Sequence, residues 1–492
     1  MINFKIYPST NRVPGVFAEV DPSKANTAQN PQRALMLGQV LAGATYAANI
    51  PVISTGYGDA AAGAGGASAM LAQMVDQYRK SDTFGELWLL PLNDNGAGVQ
   101  ASGTVTFTGP ATAAGTQSIY VAGELVAFPV AIGDTDAAQA TNFAAAVAAA
   151  GDLPVTAAVA VAVVTLTAVH KGLAGNDIDL RANFLGALSG EYTPAGTTVV
   201  FSGPQLTGGT SNPLITTALA NISADQTFDF IACPYNDATT LNALQAFLND
   251  TTGRWSWQQE LFGGVFYAFR GTLSGQTTFG TSRNNQHETC MGFYDSPTPV
   301  WRLAADVAAN SAVSIRANPA TPLQDMQLNV KAPPLASRFD ISERNTMLYD
   351  GMSTFKVDNA GQVFTDRLVT TYQTTNGVAD DSYLDVETMY TLQFAIRDMI
   401  DYLSTNFNRM ILVADGTPIA AGSGMCTSKT ILNSAIARYR FQASQGLMQN
   451  PDDFANNATA ENAGNGLVQL LLPFELANQL RQIAMLIQFT KP

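Results

Sequence analysis

The sequence predicts an α/β plus α+β protein: a split α/β domain with an inserted mostly-β domain, an α+β C-terminal domain, and extended strand arms at both ends. Three observations predict it. Strand–helix–strand patterning, the mark of a parallel α/β sheet, occurs on both sides of a long Thr/Gly/Ala-rich stretch of short β-like runs. A helical stripe opens the last quarter of the chain. The first and last segments alternate apolar and polar residues with period two, with no hairpin return nearby. The expected parts are an arm at 1–30, the α/β domain at 31–97 and 210–369, the insertion at 98–209, the C-terminal domain at 370–481 and a last strand at 482–492.

In the first arm Ile2, Phe4 and Ile6 alternate with Asn3, Lys5 and Tyr7. Beyond Pro8 and Pro14-Gly15, the residues Val16, Ala18 and Val20 alternate with Phe17 and Glu19. Such a strand needs a ladder partner for its N–H and C=O groups, here far along the chain or in another subunit. Ala34 to Leu37 and Ile50 to Ser54 are apolar runs, and Gly56 to Gly66 reads as a Gly/Ala loop. A helix is expected from near Ser68, with Leu71, Met74, Val75 and Tyr78 on one face. The apolar strand Glu86 to Leu92 ends at the turn Asn93-Asp94-Asn95-Gly96.

The insertion is expected to hold strands at Thr104 to Thr108, Ser118 to Val121, Val159 to Ala168 and Thr197 to Phe201, with one helix near Ala137 to Ala150. The α/β pattern resumes at the strand Phe228 to Cys233. Asp237 is placed as an N-cap ahead of Leu241, Leu244 and Leu248, and Gly264 to Phe269 and Met291 to Tyr294 read as further strands. Beyond Thr370, Met389, Leu392, Ile396, Met399 and Leu403 form a helical core stripe. Ile411 to Ala414, a helix from Ser428 to Arg440, and a last strand complete the chain. In that strand Ile483, Met485, Ile487 and Phe489 alternate with Gln482, Ala484 and Gln488.

Composition narrows the function. At 492 residues two to four domains are expected. The chain is 46% hydrophobic and only 13% charged, about half the usual charged share, which suits a surface covered by copies of itself. A net charge of −14 with no basic run argues against binding nucleic acid, which needs Lys/Arg to displace counterions. Three distant cysteines, Cys233, Cys290 and Cys426, form neither a disulfide framework nor zinc spacing and point to a reducing site of synthesis. No secretory signal is visible at the start. The apolar stretch Val155 to Val169 is about 15 residues, short of the roughly 20 needed to span a membrane, so no membrane insertion is expected.

The sequence resembles contractile-tail sheath proteins of bacteriophages, most of all those of Mu-like myophages. The resemblance rests on Arg12-Val13-Pro14-Gly15-Val16-Phe17 with Pro22-Ser23-Lys24-Ala25, on Ala34-Leu35-Met36-Leu37-Gly38, on Phe228 to Tyr235 and on the strand Ile483 to Phe489. The order of parts along the whole chain agrees. The resemblance implies a structural virion protein, assembled in the bacterial cytoplasm, that stacks as hexameric rings around a tail tube. It implies contraction that drives the tube through the host envelope. The implied partners are other copies, the tube, baseplate and tail terminator proteins. Phe4, Ile6, Val16, Phe17, Val20, Ile483, Met485, Ile487 and Phe489 would then be inter-subunit strand residues. The insertion is expected on the outside of the cylinder and removable with little loss of core packing. The C-terminal domain is expected innermost, with Lys429, Arg438 and Arg440 meeting the tube.

The family's α/β domain is often called subtilisin-like, so an enzyme must be weighed. Gly280-Thr281-Ser282 is similar to a protease nucleophile motif, but a serine needs a histidine and an acid in reach. Of the two histidines, His170 lies in the insertion and is followed by Lys171 rather than the Gly-Thr of the protease motif, and His287, after Ser282, breaks the Asp, His, Ser order. Gly56-Tyr57-Gly58-Asp59-Ala60-Ala61 is similar to a dinucleotide loop, with Asp94 as the ribose acid. Glycines continue to Gly66, however, so no helix N-terminus meets the phosphates. Ser428-Lys429-Thr430 lacks the glycine of a phosphate loop and reads as a helix start. His287-Glu288-Thr289-Cys290 lacks one-face ligand geometry. The expectation is no enzyme, no cofactor and no metal. The alternatives are a nucleotide-binding or hydrolytic α/β enzyme with a β insertion, carried by Gly56 to Ala61 or Ser282, and a capsid or surface-layer subunit.

Overall fold

The computed structural model describes residues 32–420 and 423–491. The first-arm residues Phe4, Ile6, Val16, Phe17 and Val20 lie outside the described residues. The chain begins with β1 (Ala34–Gln39), β2 (Val52–Ile53), α1 (Tyr57–Gly63), α2 (Met70–Ser81) and β3 (Leu87–Leu92). Every residue of β1 is buried, as a central strand covered on both faces requires. On α2 the four expected positions Leu71, Met74, Val75 and Tyr78 are all buried. The Gly56–Gly66 stretch is not a loop throughout, because α1 fills most of it. Ala60, Ala61 and Ala62 supply helix propensity there, and the ring of Tyr46 occupies the space a Cβ on Gly63 would need.

The next segment holds β4 (Gln100–Thr108), β5 (Gly115–Val121), β6 (Glu124–Val130), α3 (Asp136–Ala150), β7 (Val155–Ala160), β8 (Val163–Lys171), β9 (Leu180–Ala182) and β10 (Thr198–Phe201). These strands form two sheets, ordered β10-β4-β8-β7 and β6-β5-β9. Phe107, Phe128 and Phe143, from β4, β6 and α3, meet with ring centroids 5.7–5.9 Å apart. The run expected as one strand, Val159 to Ala168, is instead the turn and second arm of a hairpin. The chain reverses at Val161, which is 76% exposed with φ 54°, and no Gly or Pro marks that turn in the sequence.

The chain then returns to the first sheet. It forms α4 (Thr216–Ala220), β11 (Phe230–Ala232), α5 (Ala238–Leu248), β12 (Gly264–Arg270), α6 (Leu273–Thr281), β13 (Glu288–Phe293) and α7 (Val300–Ala317). The sheet order is β13-β12-β11-β1-β3-β2, parallel except for β2. Asp237 caps α5 as expected, accepting from the Thr240 N–H at 3.0 Å. No apolar stripe announced α7, since it is buried on nearly every side. It packs against α2, where Trp301 Nε1 donates to Gln73 Oε1 at 3.0 Å.

The insertion is tied to the core more closely than its expected removability implies. Its Asp177 accepts from Arg270 Nε at 2.5 Å and from the Val300 N–H that opens α7 at 2.6 Å. Its His170 accepts from the Met70 N–H at 3.0 Å, and its apolar residues belong to the same core as the central sheet.

A small sheet follows, β14 (Gln327–Leu328), β15 (Thr354–Val357) and β16 (Val363–Arg367), with α8 (Ile341–Tyr349) between β14 and β15. Asp340 and Glu343 form a capping box on α8. Then come the hairpin β17 (Thr374–Thr375) and β18 (Val378–Ala379), α9 (Val386–Phe407), β19 (Ile411–Leu412), β20 (Met425–Cys426), α10 (Ser428–Ser444), α11 (Pro451–Asn457), and the hairpin β21 (Thr459–Gly464) and β22 (Leu467–Leu471).

Helix α9 belongs to two cores. Val386 and Tyr390 join the large core, while Ala395 joins a second one with Tyr439, Leu447, Met448, Phe454 and Ala458. Of the expected stripe, Met389 and Met399 are buried, but Leu392, Ile396 and Leu403 are only half-buried. The buried side instead includes the polar Glu387 and Gln393, both hydrogen-bonded.

Candidate assembly surface

Within one chain Ile483 to Phe489 pairs with no other segment, and its expected partner is a sheet of another copy. Residues 477–491 carry no helix or ladder, and Ile483, Met485, Leu486, Ile487 and Phe489 are 73–89% exposed. In the lone subunit they close no ladder with any strand edge.

The segment before them is held firmly. Gln449 N–H donates to the Glu475 carbonyl and Ala477 N–H to the Leu447 carbonyl, both at 3.0 Å. Phe474 lies against Tyr439 and Phe454 at 5.7 and 5.9 Å between ring centroids. The last anchor is Arg481, whose Nη2 donates to Asp385 Oδ1 at 3.0 Å and to Glu387 Oε2 at 2.9 Å. Burial pushes the Glu387 carboxyl above its usual range, with Arg481 and the Leu323 N–H opposing the shift. Asp385 also receives Arg367, through Nε at 2.9 Å and Nη2 at 3.0 Å.

The hairpin β21–β22 is the complementary feature. It has only two strands, registered from Thr459↔Leu471 to Gly464↔Leu467, and Leu467 and Leu471 are 52% and 64% exposed. Among the described residues neither outer edge has a third strand. Open edges of this kind are templates for another chain.

The three basic residues of α10 do not form one strip. At 3.6 residues per turn Lys429 and Arg440 lie about 20° apart around the helix, and Arg438 about 180° from Lys429. Arg438 is also spent inside the chain: its Nε donates to Asp398 Oδ2 at 2.7 Å, and its guanidinium lies 4.7 Å from the Phe441 ring centroid. Arg440 pairs with Asp452 at 3.1 Å on the surface. Lys429 sits in the first turn, where its N–H donates to Asp415 Oδ1 at 3.3 Å and Thr427 caps the helix.

The residues weighed for chemistry are otherwise engaged. Ser282 Oγ donates to the Phe279 carbonyl at 2.6 Å. His287 pairs through Nε2 with Asp250 at 3.0 Å and stacks on Trp255 at 4.7 Å. His170 Nδ1 faces Asp94 at 3.0 Å, and Asp94 also takes Gln39 Nε2 at 2.7 Å and the Lys171 N–H at 2.9 Å. Burial raises the Asp94 carboxyl, but these partners outweigh it and leave it below the usual range. A ribose acid would need those oxygens free. Glu288 is fully buried against Arg283, and burial pushes the neighbouring Cys290 thiol well up. Among the described residues no group of His, Cys, Asp or Glu could hold a metal ion, and no helix is long and apolar enough to cross a membrane.

Residues 208–370, from α4 through β16, match the family model for the phage tail sheath protein central domain. The Mu-like prophage FluMu tail sheath protein of Haemophilus influenzae is 34% identical over 99% of both chains. The chain belongs to the phage tail sheath family. It is a tail sheath structural protein of a phage or contractile injection system. The crystal structure of the sheath tail protein from Desulfitobacterium hafniense has the same fold, with a TM-score of 0.50 at 12% identity over 95% of this chain and 97% of that one. The sheath tail protein from Listeria innocua aligns with a TM-score of 0.46 at 13% identity, over 92% and 97%. The sheath-family match places the exposed tail and the open hairpin in a structural protein of the virion.

Sequence reasoning singled out the tail but missed Arg481 and the hairpin. The charged anchor is a solitary Arg just ahead of the last apolar run. The hairpin carries Asn-Gly at its turn, Asn465-Gly466, a signal that could have found it.

Proposed function

We propose that the chain is the polymerising subunit of a contractile sheath, without catalytic residues, cofactor or metal. Its copies stack as hexameric rings around a tail tube, between baseplate and terminator proteins, in a virion assembled in the bacterial cytoplasm. Contraction of that lattice drives the tube through the envelope of the host.

One observation carries this reading: one chain has both an exposed apolar tail beyond Arg481 and an exposed hairpin whose two outer edges are unpaired among the described residues. A tail segment from one copy supplies ladder bonds and apolar area to the hairpin of another, which ties neighbouring copies together. In this reading the arms are 1–30 and 482–492, the C-terminal domain 370–481 lies innermost, and the insertion 98–209 faces outward from the α/β domain of 31–97 and 210–369. Lys429 and Arg440, which share a face, are the tube-facing cations. Such exposed pairs are worth about 0 to 1 kcal/mol each, weak enough for the sheath to slide.

Electron microscopy of the purified protein tests the reading. Rings or hollow cylinders are expected, and a protein that stays monomeric at every concentration, salt and tube condition would contradict it. Lys429→Glu with Arg440→Glu should still give sheath-only polymers while weakening assembly around tubes at low salt.

A further inference from the structure

The central sheet ends in two dissimilar surfaces. At the N-terminal end of β12, the loop after α5 is fixed by Trp255, whose Nε1 donates to the Gly263 carbonyl at 2.8 Å. From that loop Trp257 projects with 79% of its surface exposed, beside the exposed Glu260. Indole surface left in water is costly, and Trp is enriched among the residues that dominate interfaces.

At the C-terminal end of β13 lies a groove of about 970 Å³. Leu188, Leu185 and Leu335 line it at 105%, 55% and 79% exposure, with Tyr294 at its floor. Arg338, Arg344, Lys356 and Asp358 also line it, and of the cations Arg344 is paired with Asp366 at 2.8 Å and Lys356 with Asp325. Arg338 uses its Nε on the Pro333 carbonyl at 3.0 Å. Strands β12 and β13 run parallel in register from Val265↔Glu288 to Arg270↔Phe293. The aromatic knob and the groove therefore leave opposite ends of the sheet, about 20 Å apart along the strands.

We propose that Trp257 of one copy docks into this groove on the next copy, with Glu260 directed to Arg338. The occupant is a second copy because the charges are complementary: an acidic knob at Glu260 and an apolar groove whose Arg338 has no acidic partner among the described residues belong to the same chain. The knob and the groove face opposite ways along the strands. They make a head-to-tail contact, which propagates as a ring or a helical filament. The contact is separate from the strand arms, and it rests on the sheath reading above.

The test combines Gln258→Cys, beside the intact Trp257, and Leu188→Cys in one chain, whose Cys233, Cys290 and Cys426 are all buried. Assembled protein is treated with a flexible bismaleimide. A ladder of covalent dimers, trimers and longer multimers is expected, absent from either single-cysteine chain. In a second arm Arg338→Glu raises the critical concentration for assembly by about tenfold or more, and adding Glu260→Arg restores it. Normal cylinders that give no ladder, or an Arg338→Glu chain that assembles like its parent, overturn the docking and leave the sheath reading standing. An unmodified protein that never polymerises overturns both.

Discussion

Arg397, on the fourth turn of α9, reaches Asp229 at 2.5 Å just ahead of β11, where the Asp229 side chain is fully buried. Two other α9 residues converge on the same point. Gln393 donates to Asp229 Oδ1, and Tyr390 Oη donates to the Asp229 carbonyl at 2.8 Å. One buried carboxylate thus keys the helix shared by both cores to the central sheet.

Removing the cation alone should be costly. Arg397→Met leaves a buried carboxylate unpaired, and a loss of about 3 to 5 kcal/mol is expected by chemical denaturation. Adding Asp229→Asn should recover part of it. Equal losses in the single and double variants would show that the pair is not what holds the seam.

Stability should fall as pH rises through the weakly acidic range at Asp306. This α7 residue is buried without a cation in contact, accepting from Ser81 Oγ at 2.9 Å and from the Asn329 N–H at 2.5 Å. Burial raises its pKa from the usual 3.8 to about 6. The folded state therefore holds the proton more tightly than the unfolded chain. Its contribution is complete below 3.8 and lost as pH passes about 6. Denaturation midpoints measured from pH 4 to pH 7 should fall less steeply for Asp306→Asn than for the parent. Parallel profiles would remove Asp306 as the cause.

Changes confined to the tail should separate folding from assembly. Met485→Pro with Ile487→Pro alters residues exposed in the single chain, so the denaturation free energy should stay within about 0.5 kcal/mol of the parent. Sedimentation and microscopy should find no polymers. Normal cylinders from this variant would show that the tail does not link copies.

Replacing residues 98–209 with a short linker should destabilise the subunit far more than the tail change does. It strips Arg270 of Asp177 and opens the N-terminus of α7. Circular dichroism and proteolysis are expected to report a loosened core. A variant as stable as the parent would show that these ties carry no net stability.

The parts of the fold that follow a repeat were legible from the sequence. The fully apolar β1 and the 3.6-residue stripe on α2 each obey one period, and Asp237 obeys local capping chemistry. What escaped lacks such contrast. Helix α7 is buried all round, the β7–β8 hairpin turns at Val161-Ala162 without a breaker residue, and the buried face of α9 includes Glu387 and Gln393. The assembly surface was half legible: alternation marked Ile483 to Phe489, but Arg481 and Asp229 act through partners 94 and 168 residues away, at Glu387 and Arg397. Sequence spacing carries no trace of those pairings.

Helix α9 has 22 residues without glycine or proline, and spans about 33 Å. It is therefore a stiff rod with one end set in each core and Asp229 as its key. A torque applied to the second core reaches the central sheet with little give along the way. The compliance of the described subunit is concentrated past Arg481, in the ten exposed residues 482–491. In the proposed sheath, a turn of neighbouring bodies relative to one another would be taken up by those short leashes, while the bodies keep their shape.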